Sequence, residues 1–332
     1  MLFEKVRTEV LTFFLYIFFI KITPMKFASV ISLLCISWTC FSQIPSGKSV
    51  ISSLHIFDVK TKKTTEILKE HRHFEAPNWS VDGSHLLINS LGLLEKISPN
   101  GTKLGALPTG SIQKCNNDHG YSFDGKTLYI SSSDPSSGIS GSLIFKVDSQ
   151  GGQPVRLTNQ GPSYWHGISP DGKTMVYCAE RNKNYDIYAM DTQGGAEIRL
   201  TTEEGLDDGP EYSPDGKFIY FNSFRTGKMQ IWRMHPDGTN AEQMTFDDYS
   251  TWFAHIRPNG KEAVVISYLE DQKQNHPFGH QVKLRLLNLK SKKIQDLTEA
   301  FYGGQGSINV PSWSPDGSKF AYVRYELEDK KP

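Results

Sequence analysis

The sequence predicts an all-β protein, a six-bladed β-propeller whose N- and C-terminal strands close one blade. Three observations lead there. One hairpin pattern recurs six times: "NWSVDGSHLLINS", "GYSFDGKTLYISSS", "GISPDGKTMVYCAE", "EYSPDGKFIYFNSF", "HIRPNGKEAVVISY" and "SWSPDGSKFAYVRY". A second hairpin alternates with it, also six times: "LHIFDVKTKKTTEILK", "LEKISPNGTKLGALPT", "IFKVDSQGGQPVRLT", "IYAMDTQGGAEIRLT", "IWRMHPDGTNAEQMT" and "LRLLNLKSKKIQDLT". The order is offset, because Leu54–Lys69 is of the second kind and precedes any of the first, while the last hairpin has no partner after it.

Each element follows from local chemistry. The runs on either side of each turn are rich in β-branched and aromatic residues, which suit a pleated surface. Asp-Gly, Asn-Gly, Gly-Gly and Lys-rich turns split them, and these are strong hairpin signals. In Ser-Pro-Asp-Gly, Pro presets φ, Asp bonds back to nearby amides and Gly takes the positive φ. Asp171, Asp215 and Asp316 therefore read as turn residues, and Trp232 and Trp313 as core. Two hairpins make a four-stranded sheet that is marginal alone, and several such sheets arranged radially bury each other's faces. The offset order makes the two ends of the chain complete one blade, with Leu54–Lys69 in the same sheet as Ser312–Tyr325.

The "W-S-P-D-G" repeats resemble those of the TolB-like propellers, across residues 44–332. Oligogalacturonate lyases look similar at a greater distance. The first resemblance implies an envelope protein that binds protein partners. The second implies a metal on the propeller axis held by His and Gln. A separate α/β domain precedes the propeller in TolB, and this chain reaches its first blade strand near Leu54.

Residues 1–43 read as an N-terminal extension and a secretory signal. "MKFASVISLLCISWTCFSQ", from Met25 to Gln43, has a basic start, an apolar run and a small residue before the expected cut. The expected location is periplasmic or secreted, with no membrane span after cleavage; an uncleaved anchor is the alternative. Cys35 and Cys40 fall in the apolar segment, which leaves Cys115 and Cys178 as two buried thiols or, in an oxidising compartment, a pair. The 36 basic and 36 acidic side chains balance, which argues against nucleic acid as a partner. A monomer is expected.

The repeat leaves the loops for function. With strands lettered A to D from the axis outward, the Pro-Asp-Gly turns join A to B on one face, and the D–A and B–C connections share the other. Among the ten histidines, His71, His73, His119, His166, His255, His276 and His280 are placed on that second face, and His55, His85 and His235 are not. The residues entering strand A are Glu75, Asn117, Tyr164, Asp208, Trp252 and Asn309, with Asp118, Asp207 and Glu211 beside them. Expected ligand-binding residues are Glu75, Asn117, His119, Tyr164, His166, Asp208, Trp252 and Asn309. Expected ligands of one divalent metal (manganese, calcium or zinc) are His119, His255, His276, His280 and Gln305, since imidazole with oxygen donors suits such ions. The leading expectation is a small polar ligand, glycan-derived, stacked on Tyr164, Trp165 or Trp252. A metal-assisted glycan lyase and an envelope scaffold that binds proteins are the alternatives.

Overall fold

The computed structural model describes residues 44–330. The extension and secretion signal read at 1–43 lie outside the described residues. Among the described residues there is no helix long and apolar enough to cross a membrane. Among the described residues regular structure is β throughout, apart from two single turns of 3₁₀ helix at Pro135–Ser137 and Gln305–Ser307.

The strands form six antiparallel sheets arranged as the blades of a propeller. Blade one holds Glu75–Trp79, Leu86–Ser90, Leu93–Ile97 and Lys103–Ala106; blade two holds Cys115–Tyr121, Thr127–Ser133, Ser142–Asp148 and Val155–Arg156. Blade three runs from Ser163–Ile168 through Thr174–Arg181 and Asn184–Asp191 to Ile198–Arg199. Blade four runs from Asp207–Tyr212 through Ile219–Ser223 and Gln230–Met234 to Glu242–Gln243. Blade five comprises Ser250–Ile256, Glu262–Tyr268, His280–Asn288 and Ile294–Asp296, and a short extra strand, Phe301–Gly303, pairs with the start of its third strand.

Blade six is the closure. Lys48–Asp58 lies between Lys63–Glu70 and the C-terminal strand Lys319–Asp329. The pairing with the C-terminal strand runs from Lys48 opposite Asp329 to Asp58 opposite Lys319. A single bridge between Trp313 and Phe320 supplies the innermost position. Leu54–Lys69 and Ser312–Tyr325 therefore share a sheet, as the offset repeat requires.

The repeat residues hold the blades in a regular way. Ser80, Ser122, Ser169, Ser213 and Ser314 each donate to the Asp two residues on, at 2.6–2.8 Å. Hydrogen bonds from the turn hold the Asp82 and Asp316 carboxyls down at about 2. Thr158, Thr201, Thr245 and Thr298, which end four of the second hairpins, accept from backbone amides of strand C at 2.9–3.0 Å. The apolar core lies between blades. Trp165 of blade three stacks on Tyr129 of blade two at 5.7 Å, and Phe57 on Phe320 at 5.0 Å within the closing blade.

Every strand A of blades one to five carries a break in register: between Glu75 and Asn78, Cys115 and His119, Trp165 and Gly167, Asp208 and Glu211, and Trp252 and His255. Ala76, Gly209 and Phe253 sit at this break with φ of 55°, 60° and 50°. An inserted residue turns the side chains that follow it to the opposite side of the sheet.

Candidate functional site

The bulges divide the axis into two zones. At and before the break, side chains from several blades meet in a buried polar throat. The Asn309 side-chain amide donates to Asp118 Oδ1 at 2.6 Å and to the Asn117 carbonyl at 3.3 Å. Asn117 Nδ2 donates to Glu75 Oε2 at 3.5 Å. His166 Nε2 lies 3.1 Å from Asp208 Oδ1 and 3.9 Å from Asp118 Oδ1. His276 comes over from the B–C loop of blade five, and its Nε2 lies 3.4 Å from Asp208 Oδ2.

Three buried carboxyls in one throat repel each other unless they are paired or protonated. Burial, reinforced by Asp118, pushes the Glu75 carboxyl up to about 8. Asp118 is also raised, by burial against the pull of His166. Burial works in the same direction on Asp208, but His166 and His276 outweigh it and hold Asp208 far below the usual carboxylate range. Burial disfavours a charged His166, and Asp208 more than offsets it, so the ring is raised. The amide oxygens of Asn117 and Asn309 are buried with no hydrogen-bond partner.

The five residues expected to share a metal do not come together. His119 is fully buried, with Nε2 at 3.4 Å from the Leu87 carbonyl, and burial lowers it to about 4. His255 lies past the break, where Nδ1 meets Glu211 Oε2 at 2.7 Å and Nε2 meets the Ile308 carbonyl at 2.9 Å. Both of its nitrogens are engaged by protein oxygens, so neither is turned toward a shared metal. His280 heads strand C of blade five beside Tyr268, with ring centroids 6.2 Å apart, and Gln305 opens a 3₁₀ turn. Among the described residues no group of three or more His, Cys, Asp or Glu is arranged to hold a metal ion. Trp165 and Trp252 are buried in the core, and half-buried Tyr164 stacks on Tyr185 at 6.5 Å. Neither tryptophan face is open to a sugar. Cys115 and Cys178 are both buried and free.

The second zone opens on the other face. A cavity of about 410 Å³ occupies the axis on the side of the Asp-Gly turns. Trp79, Tyr121, Ile168, Tyr212, Ile256 and Trp313 line it, one from each blade, each the last residue before the turn. Val81 and Phe123 stand at its rim, 43% and 47% exposed, and Pro214, Pro258 and Pro315 complete the wall. Glu211 is its one charged lining residue, and it is engaged by His255 and by the Ile256 amide at 2.7 Å. The Trp313 indole donates to the His255 carbonyl at 2.8 Å. The lining is thus apolar and electrically quiet.

A family model described as the TolB beta propeller domain matches residues 165–309. An uncharacterized protein of Agrobacterium fabrum is 47% identical over 280 residues, 84% of this chain and 94% of its own length. A solved structure described as a putative TolB from Agrobacterium tumefaciens aligns with a TM-score of 0.79 at 45% identity, covering 84% of this chain and 99% of that one. The chain belongs to the TolB-like β-propeller family. The Tol-Pal system protein TolB of Helicobacter hepaticus is 27% identical over 170 residues, 50% of this chain and 38% of the relative. Oligogalacturonate lyases are more distant, at a TM-score of 0.48.

In this TolB-like propeller the funnel is what sequence reasoning missed. Its signal was present in the repeat: Trp, Tyr, Ile, Tyr, Ile and Trp stand directly before the six turns. Of that column the sequence assigns Trp313 to the core, because a strand-end aromatic inside a repeat usually is.

Proposed function

We propose that this TolB-like propeller is an envelope protein that binds a protein partner through the funnel on its turn face. The observation that carries the reading is the open apolar cavity of about 410 Å³ with a contribution from every blade. Concave apolar sites with few polar groups are where proteins take ligands and partner side chains. The name Tol-Pal system protein, carried by relatives that match half of the chain, supports a protein as the occupant. A photo-crosslinking residue placed at Val81 in the native host is expected to give one discrete protein adduct. Phe123→Asp, a rim change that leaves the core intact, is expected to remove it. Crosslinking from His71 on the other face is expected to give none. An adduct that persists in Phe123→Asp, or forms equally from His71, defeats the funnel reading.

A second reading places a small polar ligand in the throat on the opposite face. It draws on the buried carboxyls and on the two amide oxygens without partners.

A further inference from the structure

The B–C connection of blade five is long and carries its own anchors. Residues 269–279 link its second and third strands, where blades one and three use only residues 91–92 and 182–183. Gln274 Oε1 accepts from the Leu206 amide at 2.8 Å, on the blade-four side. Asp271 accepts from Ser250 at 2.9 Å, and the Pro277 carbonyl accepts from Tyr268 at 3.0 Å. On the blade-six side, Phe278 packs edge-on to Tyr325 at 4.7 Å. The loop is thus a strap tied across three blades, over the mouth of the throat.

What the strap puts into that mouth is an imidazole. The His276 ring lies 4.7 Å from the Trp252 ring and 5.6 Å from the Phe253 ring, and reaches Asp208 Oδ2 at 3.4 Å. A carboxylate backed by aromatic rings is the chemistry that holds a nitrogen cation, through a charge-assisted hydrogen bond and cation–π attraction. His166 Nε2 holds the other side of Asp208 at 3.1 Å and lies 3.9 Å from Asp118, and the Asn117 and Asn309 oxygens have no donor. His276 therefore fills the place of an N–H-bearing cation with a side chain of the protein itself.

We propose that His276 is an internal plug in a cation site formed by Asp208, Trp252 and Phe253, and that the site takes a small alkylammonium or alkylguanidinium group when the strap lifts. The inference rests on the second reading above and names its ligand class. A plug competes with the ligand, so the apparent affinity is reduced by the fraction of molecules with the strap open. Removing the plug removes that competition.

The test is calorimetric titration of methylguanidinium and methylammonium chloride at constant ionic strength into wild type, His276→Ala, and His276→Ala combined with Asp208→Asn. His276→Ala is expected to bind about tenfold more tightly than wild type, and the double variant not at all. In wild type, the ligand is expected to speed hydrogen exchange at the amides of residues 269–279, a readout that does not depend on any variant folding. His276→Gln serves should the alanine variant fail to fold. An arginine inside a short peptide is titrated alongside: binding by the free cations assigns the site to small molecules, and binding by the peptide alone assigns the same chemistry to a protein side chain. Equal affinity in wild type and His276→Ala, or binding that survives Asp208→Asn, overturns the proposal. A neutral oligosaccharide that binds while no cation does overturns it and leaves the throat reading standing. Binding by none of them defeats both.

Discussion

Glu75 is the residue where burial and charge disagree most. It enters strand A of blade one, it is fully enclosed, and the charge beside it is another carboxyl, Asp118. Gly306 packs so closely that an added Cβ would sit 2.7 Å from the Glu75 Cβ, so the side chain has little room to move away. Its carboxyl rises from the ordinary 4.5 to about 8 in the fold. Between those two values the folded protein binds more protons than the unfolded chain, so stability falls as pH rises and levels off above the upper value. Melting temperature is thus expected to decline from about pH 5 to about pH 8. Glu75→Gln keeps the shape and the hydrogen bond with Asn117 without a titrating group. It is expected to flatten that decline and to melt higher than wild type at pH 8. Calorimetry across this range decides it, and parallel curves for the two proteins would show that Glu75 stays ionised in the fold.

Strand A is the element on which function and packing are decided together. Its end beyond the bulge passes so close to the next blade that glycine is required. At Gly120 an added Cβ would lie 2.4 Å from two ring carbons of Trp165, and that ring is already stacked on Tyr129. Gly120→Ala is expected to cost about 2 kcal/mol through overpacking. Combining it with Trp165→Leu should recover part of the loss, since the two residues share one contact; denaturant unfolding of the four proteins checks both. The same element shows why the site was only half legible. Turn chemistry and alternation are local, so the blades, their order and the closure were readable from the repeat. A bulge leaves no composition signal, because Ala76, Gly209 and Phe253 take the left-handed conformation at equivalent positions with three different side chains. Counting forward from Glu75, Asn117, Asp208 and Asn309 therefore found the throat. Counting past the break placed His119 and His255 there too, and the slip sends one toward Leu87 and the other to Glu211 beside the funnel. His276 was expected on this face as a metal ligand, and its docking on Asp208 instead depends on anchors spread over three blades.

The propeller is a ring, and a ring depends on its closure more than on any one blade. The two ends of the described segment meet in blade six, where the Lys330 amide donates to the Gly47 carbonyl at 3.0 Å and the Lys48 ammonium pairs with Asp329 at 2.7 Å. The C-terminal strand contributes Phe320, Ala321, Tyr322, Val323 and Tyr325 to the cores on both of its sides, toward blade five and toward blade one. Deleting residues 319–332 removes these side chains and leaves Lys48–Asp58 without an inner partner. Two inter-blade cores open at once, so the loss far exceeds the ~5–15 kcal/mol that holds a domain together. The truncated chain is expected to show no cooperative melting transition. That outcome alone would not separate closure from simple loss of core. A circular permutant does, because it keeps every residue of the propeller and only moves the opening. With residues 330 and 44 joined by a short linker and the chain opened in the exposed turn at Asp237–Gly238, blade six becomes continuous and the seam moves to blade four. Exposed turns tolerate such cuts. The permutant is expected to melt cooperatively within a few degrees of wild type, and its own truncation, removing the strands now at the seam, to unfold it. A permutant that fails to fold while its linker spans the gap would mean that blade six is special in itself, and that the ring does not share its closure among equivalent blades.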